Sequence, residues 1–263
     1  MKDKEKIREY IRKNYSDIAR QDATRTCCGK SCDCNATAGD IHEASLRIGY
    51  SEEDLLLAPD EANMGLGCGN PISIAALKEG ETVLDLGSGG GFDCFLARKQ
   101  VGETGHVIGV DMTPEMIRLS RENAEKKGYS NMEFRLGEIE HLPVADDSVD
   151  AIISNCVINL SLDKDQVFKE AYRVLRRGGR LSVSDIVATA ELPEDIKGDL
   201  AMMAGCVAGA ESMDAIKGML EHAGFQNIRM VPGDNSRRIL RTWAPGRNIE
   251  DYVASFIIEA QKD

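Results

Sequence analysis

The sequence has no basic run, no long apolar run and few histidines, and each absence narrows the range of functions. Acidic residues outnumber basic residues by 44 to 32, which gives a formal net charge of −12. A surface of this charge repels the phosphate backbones of nucleic acids and the headgroups of anionic membranes. We therefore expect neither a nucleic acid nor a membrane as a partner.

The lengths of the apolar runs and the number of cysteines indicate in which cellular compartment the protein is expected. Segment 1–6 is charged and lacks an apolar core of signal-peptide length, and no later apolar run is long enough to span a bilayer. These features predict a cytoplasmic protein. The eight cysteines would then stay reduced, and metal binding, catalysis or redox exchange explains them better than a disulfide framework does.

Short apolar runs alternate with helical patterns from residue 82 onward, which is typical of a parallel sheet covered by helices. The predicted strands are 82–86, 106–111, 132–136, 151–155, 181–186 and 225–230. The predicted helices are one from Phe92, one capped by Thr113 and stopped at Gly128, one over 167–175 closed by Gly178 and Gly179, one that leads to Gly205, and one over 212–224. The spacing of Ile249, Tyr252, Val253, Phe256 and Ile257 predicts a last helix.

The first strand runs into the glycine loop 85–91, whose glycines at 87, 89 and 91 let backbone N–H groups approach a ligand closely. A dinucleotide fingerprint needs its third glycine where Phe92 stands, which argues against NAD and FAD. No Gly-Lys-Ser/Thr ending follows, which argues against ATP and GTP. Asp111 ends the second strand about 20 residues beyond the loop, where a carboxylate can accept both hydroxyls of a ribose.

This loop, together with Asp111, resembles the motifs of S-adenosylmethionine-dependent methyltransferases of the seven-stranded Rossmann-like type, over roughly residues 82–186. The resemblance implies an α/β fold with a helical N-terminal lid and a smaller C-terminal α+β region, and S-adenosylmethionine as the cofactor. The cofactor residues that it implies are Tyr15, Gly67, Asp85, Gly87, Ser88, Gly89, Gly91, Asp111, Met112, Glu138, Ile139 and Asn155. The alternative is a glycine turn that only packs a helix on a strand.

Three single cysteines stand in small-residue or apolar surroundings. Cys156 follows the fourth strand, and ligands of open α/β sheets sit outside the carboxyl ends of the strands, so its thiol should face the crevice of the glycine loop. Cys68 lies in a loop too glycine-rich to be core, and Cys206 follows Gly205 at a helix end. Taken singly, each could be an inert buried cysteine, as we expect for Cys94 on the first helix.

Segments 67–71, 154–160 and 205–210 resemble the three cysteine motifs of arsenite methyltransferases, within a similarity that covers about residues 15–210. The resemblance implies that Cys68, Cys156 and Cys206 bind As(III), and that a thiol reductant or thioredoxin restores the cysteines. Trivalent arsenic is soft and keeps a lone pair, so thiolate ligation can aim that pair at the sulfonium methyl without a general base. The four histidines are scattered, which agrees: they are His42, His106, His141 and His222.

The N-terminal cluster of Cys27, Cys28, Cys32 and Cys34 has no one-to-one match to a family motif. Members of the family commonly pair an N-terminal cysteine with the equivalent of Cys68, so Cys32 and Cys34 are candidate redox partners. A flexible reduced segment remains an alternative. A zinc site would need a second Cys or His pair nearby. The four thiols could also collect arsenite and pass it inward.

Three regions follow from this interpretation. Residues 1–70 would form the N-terminal helix and cysteine-rich lid, 71–188 the core that binds the cofactor, and 189–263 a C-terminal region on the substrate side. The leading function is methylation of arsenite. The alternatives are a carbon methyltransferase with a quinone-like acceptor and a non-catalytic, thiol-based metalloid-binding protein. The oligomeric state stays open.

Overall fold

A computed structural model describes residues 2–20, 38–234 and 236–263. Its centre is a seven-stranded sheet with the strand order β3-β2-β1-β4-β5-β7-β6. The strands are β1 Thr82–Leu86, β2 His106–Asp111, β3 Met132–Leu136, β4 Val149–Asn155, β5 Leu175–Ala188, β6 Gln226–Pro232 and β7 Val253–Gln261. Strands β1 to β5 pair in parallel, and β7 lies antiparallel between β5 and β6. The predicted α/β fold is confirmed.

Helices cover both faces of the sheet. They are α1 Lys2–Arg20, α2 Ala38–Arg47, α3 Glu52–Leu57, α4 Phe92–Val101, α5 Pro114–Lys127, α6 Lys164–Val174, α7 Glu194–Lys197, α8 Leu200–Ala204, α9 Met213–Ala223 and α10 Ser236–Trp243. Phe168 and Leu220, from α6 and α9, pack on one face of the sheet. Phe95 and Ile117, from α4 and α5, pack on the other. Coverage on both faces explains why the central strands read as continuous apolar runs.

The last predicted helix is wrong, because residues 253–261 form strand β7. The apolar spacing between Ile249 and Ile257 fits a helix, but the burial pattern within the strand is closer to a period of two. Pairing decides the outcome. Strand β7 makes nine registered pairs along β5, from Arg180 opposite Gln261 to Ala188 opposite Val253. Without β7, the long edge of β5 would leave a row of backbone groups unpaired.

The stop predicted for the helix over 167–175 is also misplaced. Helix α6 ends at Val174, and Leu175 already has extended backbone angles. Gly178 and Gly179 lie inside β5 instead, where the Gly178 N–H donates to the Lys262 carbonyl at 2.7 Å and the Lys262 N–H donates to the Gly179 carbonyl at 2.9 Å. Leu175 pairs with Val149 of β4, so sheet pairing begins before the glycines are reached.

The N-terminal helix α1 packs against α5 and α8, with Ile11 buried beside Met203 and Ala204. Tyr15 therefore lies over the carboxyl ends of the central strands. Cys27, Cys28, Cys32 and Cys34 lie outside the described residues. None of the helices in the described ranges combines the length and the apolar character that crossing a membrane requires. The division into three functional regions stays a prediction, although β6 and β7 complete the same sheet as the core.

Candidate active site

A cavity opens at the carboxyl ends of β1, β2 and β4, where the sheet order reverses. Open α/β sheets bind ligands at this topological position. Of the twelve residues predicted to contact a cofactor, all except Gly91 line the cavity. Gly91 instead caps α4 with a φ of 94°, and a Cβ there would lie 3.1 Å from the Phe134 ring. The individual roles of these residues remain predictions.

The glycine loop is fixed by backbone bonds to the neighbouring strand. The N–H groups of Gly87 and Ser88 both donate to the carbonyl of Val110, at 2.7 and 3.0 Å. Gly87 has a φ of 71°, and a Cβ at this position would lie 2.4 Å from a Val157 methyl group. Glycine is therefore required at 87 both by the backbone angle and by the close approach of Val157.

Asp111 organises the other side of the loop. One carboxylate oxygen accepts the N–H of Gly89 at 3.0 Å, and the other accepts the N–H of Thr113 at 2.8 Å. Burial raises the pKa of Asp111, although these two backbone donors oppose the shift. The sequence prediction that Asp111 faces a ribose is compatible with this geometry, since each carboxylate oxygen has a second lone pair.

Asp85 and Asp93 place two further carboxylates in the cavity wall, and both are buried. Burial raises the pKa of Asp85 well above its ordinary value, and neighbouring Asp93 adds to the effect. Burial raises the pKa of Asp93 to about 6. No ion pair to a Lys, Arg or His is recorded for either within the described ranges. A cationic ligand would therefore offset the desolvation cost of ionising these two carboxylates.

The cavity fits S-adenosylmethionine in three respects. Its carboxylates suit an ammonium and a sulfonium, and Asp111 suits a ribose. The Ser88 hydroxyl is buried and has no hydrogen-bond partner among the described residues, so it is available to a ligand. A Cβ added at Gly89 would meet only the Met116 sulfur, at 4.0 Å, which leaves room above the loop. These residues would hold the amino-acid and ribose parts of the cofactor.

We expect the affinity for S-adenosylhomocysteine to rise as the pH is raised from 5 to 7. Below a pKa of about 6 the Asp93 carboxyl is protonated in the free protein, and a bound ammonium must displace that proton. If binding needs the ionised form, affinity falls by up to about tenfold per pH unit below that pKa. Because the folded pKa is raised, the free protein loses the contribution of Asp93 to stability as the pH rises through about 6.

Calorimetric titrations at intervals between pH 5 and 8 would measure this dependence. The ligand-induced rise in melting temperature should also be larger at pH 7 than at pH 5, because the bound cation then compensates an ionised carboxylate. A flat affinity profile across the range would contradict the role assigned to the buried carboxylates.

Tyr50 and Asp93 are functional-site residues that sequence reasoning missed. The Tyr50 hydroxyl donates to an Asp93 carboxylate oxygen at 2.6 Å, and both residues line the cavity. The side-chain amide of Asn155 lies 2.8 Å from the Tyr50 hydroxyl and 3.2 Å from the other Asp93 oxygen. A signal for Asp93 existed, since it is an acid placed just after the glycine loop on a helix whose neighbours are apolar. Tyr50 had no local signal.

The three predicted thiols converge in one buried cluster next to the cavity. The Cys68 and Cys156 sulfurs and an Asp185 carboxylate oxygen all lie within 4.8 Å of one another. The Cys206 thiol donates to the backbone carbonyl of Cys156 at 2.7 Å. The expectation that the Cys68 loop is too glycine-rich to be core is wrong: the Cys68 side chain is buried, with its sulfur 3.6 Å from the Ser184 hydroxyl. Cys94 is buried away from this cluster and donates to Asp85, as a core position predicts.

Cys156 and Cys206 both adopt left-handed backbone angles, with φ of 56° and 62°. This backbone conformation is costly for any residue other than glycine, and it persists only where the surroundings enforce it. The Cys156 N–H donates to the Ser184 carbonyl at 2.8 Å, and the Cys206 N–H donates to the Met203 carbonyl at 3.1 Å. The fold therefore holds both thiols in a fixed direction at the end of β4 and of α8.

Asp185 braces the turn that carries Cys156. It accepts hydrogen bonds from the N–H groups of Ile158 and Ile186, at 2.9 and 2.7 Å, and from the Asn159 amide at 3.1 Å. The same Asn159 amide donates to the Cys206 carbonyl at 3.2 Å. Burial raises the pKa of Asp185 to about 6. The carboxylate is thus engaged by its own donors and links the turns of two thiols.

Two of the three thiols, those of Cys156 and Cys206, have raised pKa values, which favours their protonated form at neutral pH. Burial raises the pKa of Cys156 well above its ordinary value, and hydrogen bonds to Cys206 and Cys68 add to the shift. For Cys206, the hydrogen bond with Cys156 lowers the pKa, but burial and the charge of Asp185 outweigh it, so the net shift is upward. Burial therefore favours the neutral thiol at both Cys156 and Cys206.

A second cavity reaches the cluster from the side away from the glycine loop. Residues from α1, from α8 and from the C-terminal region line it, including Tyr10, Met202, Cys206 and Trp243. Cys156 and Tyr15 line both cavities. The Tyr15 hydroxyl donates to the carbonyl of Ala204 at 3.1 Å. Cys156 and Tyr15 therefore lie at the boundary between the two cavities.

The fold and the first cavity define an S-adenosylmethionine-dependent methyltransferase. Residues 77–224 match the model of a family described as a methyltransferase domain. A phosphoethanolamine N-methyltransferase of Haemonchus contortus, solved with S-adenosylmethionine, shares the fold with a TM-score of 0.63 at 16% identity over 86% of this chain and 57% of its own.

The chain belongs to the arsenite methyltransferase family. It is 50% identical over 99% of its length to the arsenite methyltransferase of Halobacterium salinarum, of which it covers 68%. It is 40% identical to that of Mus musculus over 66% of this chain, and it spans only 48% of that relative. An arsenic(III) S-adenosylmethionine methyltransferase of Chlamydomonas reinhardtii superposes with a TM-score of 0.63 at 34% identity, covering 85% of this chain and 73% of the other. A quinone-biosynthesis C-methyltransferase of Haemophilus ducreyi is more distant, at 30% identity over 60% of this chain and 69% of the relative.

Proposed function

We propose that this chain transfers the methyl group of S-adenosylmethionine to trivalent arsenic bound by Cys68, Cys156 and Cys206. The observation that carries the proposal is that Cys68 and Cys206 share one buried cluster with Cys156, which lines both cavities. Thiol sulfur is the ligand that a soft, trivalent centre prefers. A carbon acceptor would have no use for such a cluster.

The neutral state of the thiols suits arsenite. Arsenite is the uncharged species As(OH)₃ at neutral pH, and exchange of three hydroxyls for three thiols releases three water molecules and no net proton. A divalent cation would instead require deprotonated thiols and release protons. The burial that raises the pKa of Cys156 and Cys206 therefore favours a neutral trihydroxide over a dication.

Each element of the site has a task in the transfer. S-adenosylmethionine supplies an electrophilic methyl group on a sulfonium. The glycine loop and Asp111 orient the donor, and the left-handed turns of Cys156 and Cys206 hold the acceptor sulfurs at the boundary of the two cavities. Since the lone pair of arsenic is the nucleophile, no side chain has to remove a proton from the acceptor. The rate then depends on alignment of the reacting atoms.

Methylation at the lone pair raises arsenic formally from the +3 to the +5 state, so two electrons must be returned. A pair of thiols can supply them by forming one disulfide, which an external thiol or thioredoxin then reduces. Family resemblance assigns Cys68 to that disulfide, with Cys32 or Cys34 as its partner. We propose a thiol reductant as a partner in turnover on this chemical ground.

Incubation of the purified chain with S-adenosylmethionine, arsenite and a thiol, followed by separation of the arsenic species, tests the proposal. We expect methylated arsenic to appear in proportion to S-adenosylhomocysteine. A parallel incubation with a demethylated quinone acceptor covers the rival function. Turnover of the quinone without any methylated arsenic would overturn the assignment, and tight arsenite binding without transfer to either acceptor would favour a metalloid-binding protein.

A further inference from the structure

The loop that carries Cys68 runs in close contact with two side chains, one at the end of β4 and one within β5. A Cβ added at Gly67 would lie 2.7 Å from the amide nitrogen of Asn155, and one added at Gly69 would lie 2.1 Å from the Ser184 hydroxyl. Only glycine permits such an approach without a shift of the loop. The position of the Cys68 thiol therefore depends on the contacts that the Asn155 and Ser184 side chains make with this loop.

Asn155 forms hydrogen bonds to this loop through both the oxygen and the nitrogen of its side-chain amide. Its side-chain oxygen accepts the N–H of Cys68 at 3.0 Å, and its NH₂ group donates to the carbonyl of Gly69 at 2.8 Å. The same NH₂ group also lies within hydrogen-bond distance of the Tyr50 hydroxyl and of Asp93, both in the wall of the cofactor cavity. One side chain thus connects the cavity wall to the backbone of Cys68.

The NH₂ group of Asn155 has two hydrogens for three acceptors. Asp93 is a buried carboxylate, and its oxygen competes with Gly69 and Tyr50 for these hydrogens. A cationic ligand in the cavity would compensate Asp93, which leaves the amide hydrogens to Gly69 and Tyr50. The Cys68 loop would then be held more firmly when the cavity is filled.

The other two thiols are fixed independently of this connection. Cys156 is held by the Ser184 carbonyl, and Cys206 by the Met203 carbonyl and the Asn159 amide. Among the described residues, Cys68 is consequently the one member of the cluster whose backbone is hydrogen-bonded to a side chain in the wall of the first cavity.

We propose that Asn155 is a positioning residue that couples the cofactor cavity to Cys68, so that a ligand in the cavity raises the affinity of the thiol cluster for arsenite. The inference rests on the proposed function, because it takes Cys68 as an arsenic ligand. By linkage, bound arsenite raises the affinity for the cofactor by the same factor.

Arsenite titrations in the absence and presence of saturating S-adenosylhomocysteine measure the coupling without any turnover. Trp243 is the only tryptophan and lines the second cavity beside Cys206, so its fluorescence reports arsenite binding. We expect S-adenosylhomocysteine to tighten arsenite binding at least about fivefold in the unaltered chain. The coupling ratio is the arsenite affinity with S-adenosylhomocysteine divided by the affinity without it. In Asn155→Ala we expect this ratio to fall below about twofold, and X-ray absorption to count two As–S bonds in place of three.

Two control variants separate coupling from loop damage. Ser255→Ala removes the hydroxyl that donates to the Cys68 carbonyl at 2.8 Å, and it should weaken arsenite binding while the ratio is kept. Asn131→Ala removes an equally bonded amide that anchors Gly102 and Gly105 far from the site, and it should keep both the affinity and the ratio. Thermal unfolding checks that each variant is folded.

If Asn155→Ala does not fold, Tyr50→Phe serves in its place, since it deletes one of the three acceptors and should lower the ratio at least about twofold. The proposal is overturned if Asn155→Ala keeps the full ratio and three As–S bonds, or if either control loses the ratio to the same extent. A wild-type chain that binds no arsenite would refute the proposed function itself. Arsenite binding through three sulfurs with a ratio of one would refute only the coupling.

Discussion

Replacing Cys206 by Ser is expected to lower arsenite methylation by at least about 100-fold, with the affinity for S-adenosylhomocysteine within about twofold of the unaltered chain. A hydroxyl can still donate to the Cys156 carbonyl, as the thiol does at 2.7 Å, so the left-handed turn should survive. What is lost is a soft ligand, because oxygen binds a thiolate-seeking centre poorly. Cys206 does not line the first cavity, so cofactor binding has no reason to change.

Methylation rates, calorimetry with S-adenosylhomocysteine and X-ray absorption on the arsenite complex together test this variant. We expect the number of As–S bonds to fall from three to two. Cys94→Ser is the matched control, since it alters another buried thiol that lies outside the cluster. Cys94→Ser should keep all three As–S bonds. Wild-type turnover in Cys206→Ser would remove Cys206 from the arsenic ligands and leave the proposed mechanism without support.

The parallel part of the sheet could be predicted because its signals are local. The segments 82–86, 106–111 and 132–136 were predicted with the bounds that the structure shows. The first two are apolar runs that burial on both faces makes distinctive, whereas 132–136 alternates apolar and charged residues, as an edge strand does. Strand β7 could not be read in this way, since its apolar residues also fit a helix and one of its two partners in the sheet, β5, lies more than 60 residues away.

In the candidate site too, features with a local sequence signal could be predicted, and features set by contacts remote in sequence could not. Cys156 was placed near the glycine loop by a general rule for the ends of parallel strands, and it lines that cavity. The burial of Cys68 depends on contacts with Ser184 and Ser255, which belong to β5 and β7 and are remote in sequence. A glycine-rich segment normally indicates an exposed loop, and only tertiary packing reverses that expectation.

The left-handed backbone conformation of Cys156 and Cys206 could not be predicted from the sequence either. Sequence signals for positive φ are glycine, asparagine and aspartate, whereas Cys156 and Cys206 have side chains that disfavour it. The strain lies at the residues that would bind arsenic, which is where the requirement for a fixed thiol direction can outweigh local preference. Sequence reasoning identified these cysteines by their motifs and had no access to how they are held.

Replacing Asp111 by Asn is expected to weaken binding of S-adenosylhomocysteine by roughly 10- to 100-fold while arsenite still binds through three sulfurs. The two carboxylate oxygens accept the N–H groups of Gly89 and Thr113. An Asn side chain must turn its NH₂ group toward one of these donors, so one bond is lost and the glycine loop is released from that side. Hydrogen bonds to a charged acceptor are worth about 1.5–3 kcal/mol, which corresponds to the stated loss in affinity.

Asp150→Asn is the control for the chemistry of the substitution. Asp150 also accepts a backbone N–H, that of Thr82 at 2.8 Å, and it pairs with Arg176 at the opposite end of the sheet from the cavity. Calorimetry should therefore show unchanged affinity for S-adenosylhomocysteine in Asp150→Asn. Because Asp111 lines the first cavity but not the second, X-ray absorption of the arsenite complex should still count three As–S bonds in Asp111→Asn. Loss of arsenite binding along with the cofactor would mean that Asp111 supports the whole end of the sheet, whereas separate effects agree with two sites that share Tyr15, Gly65, Leu66 and Cys156.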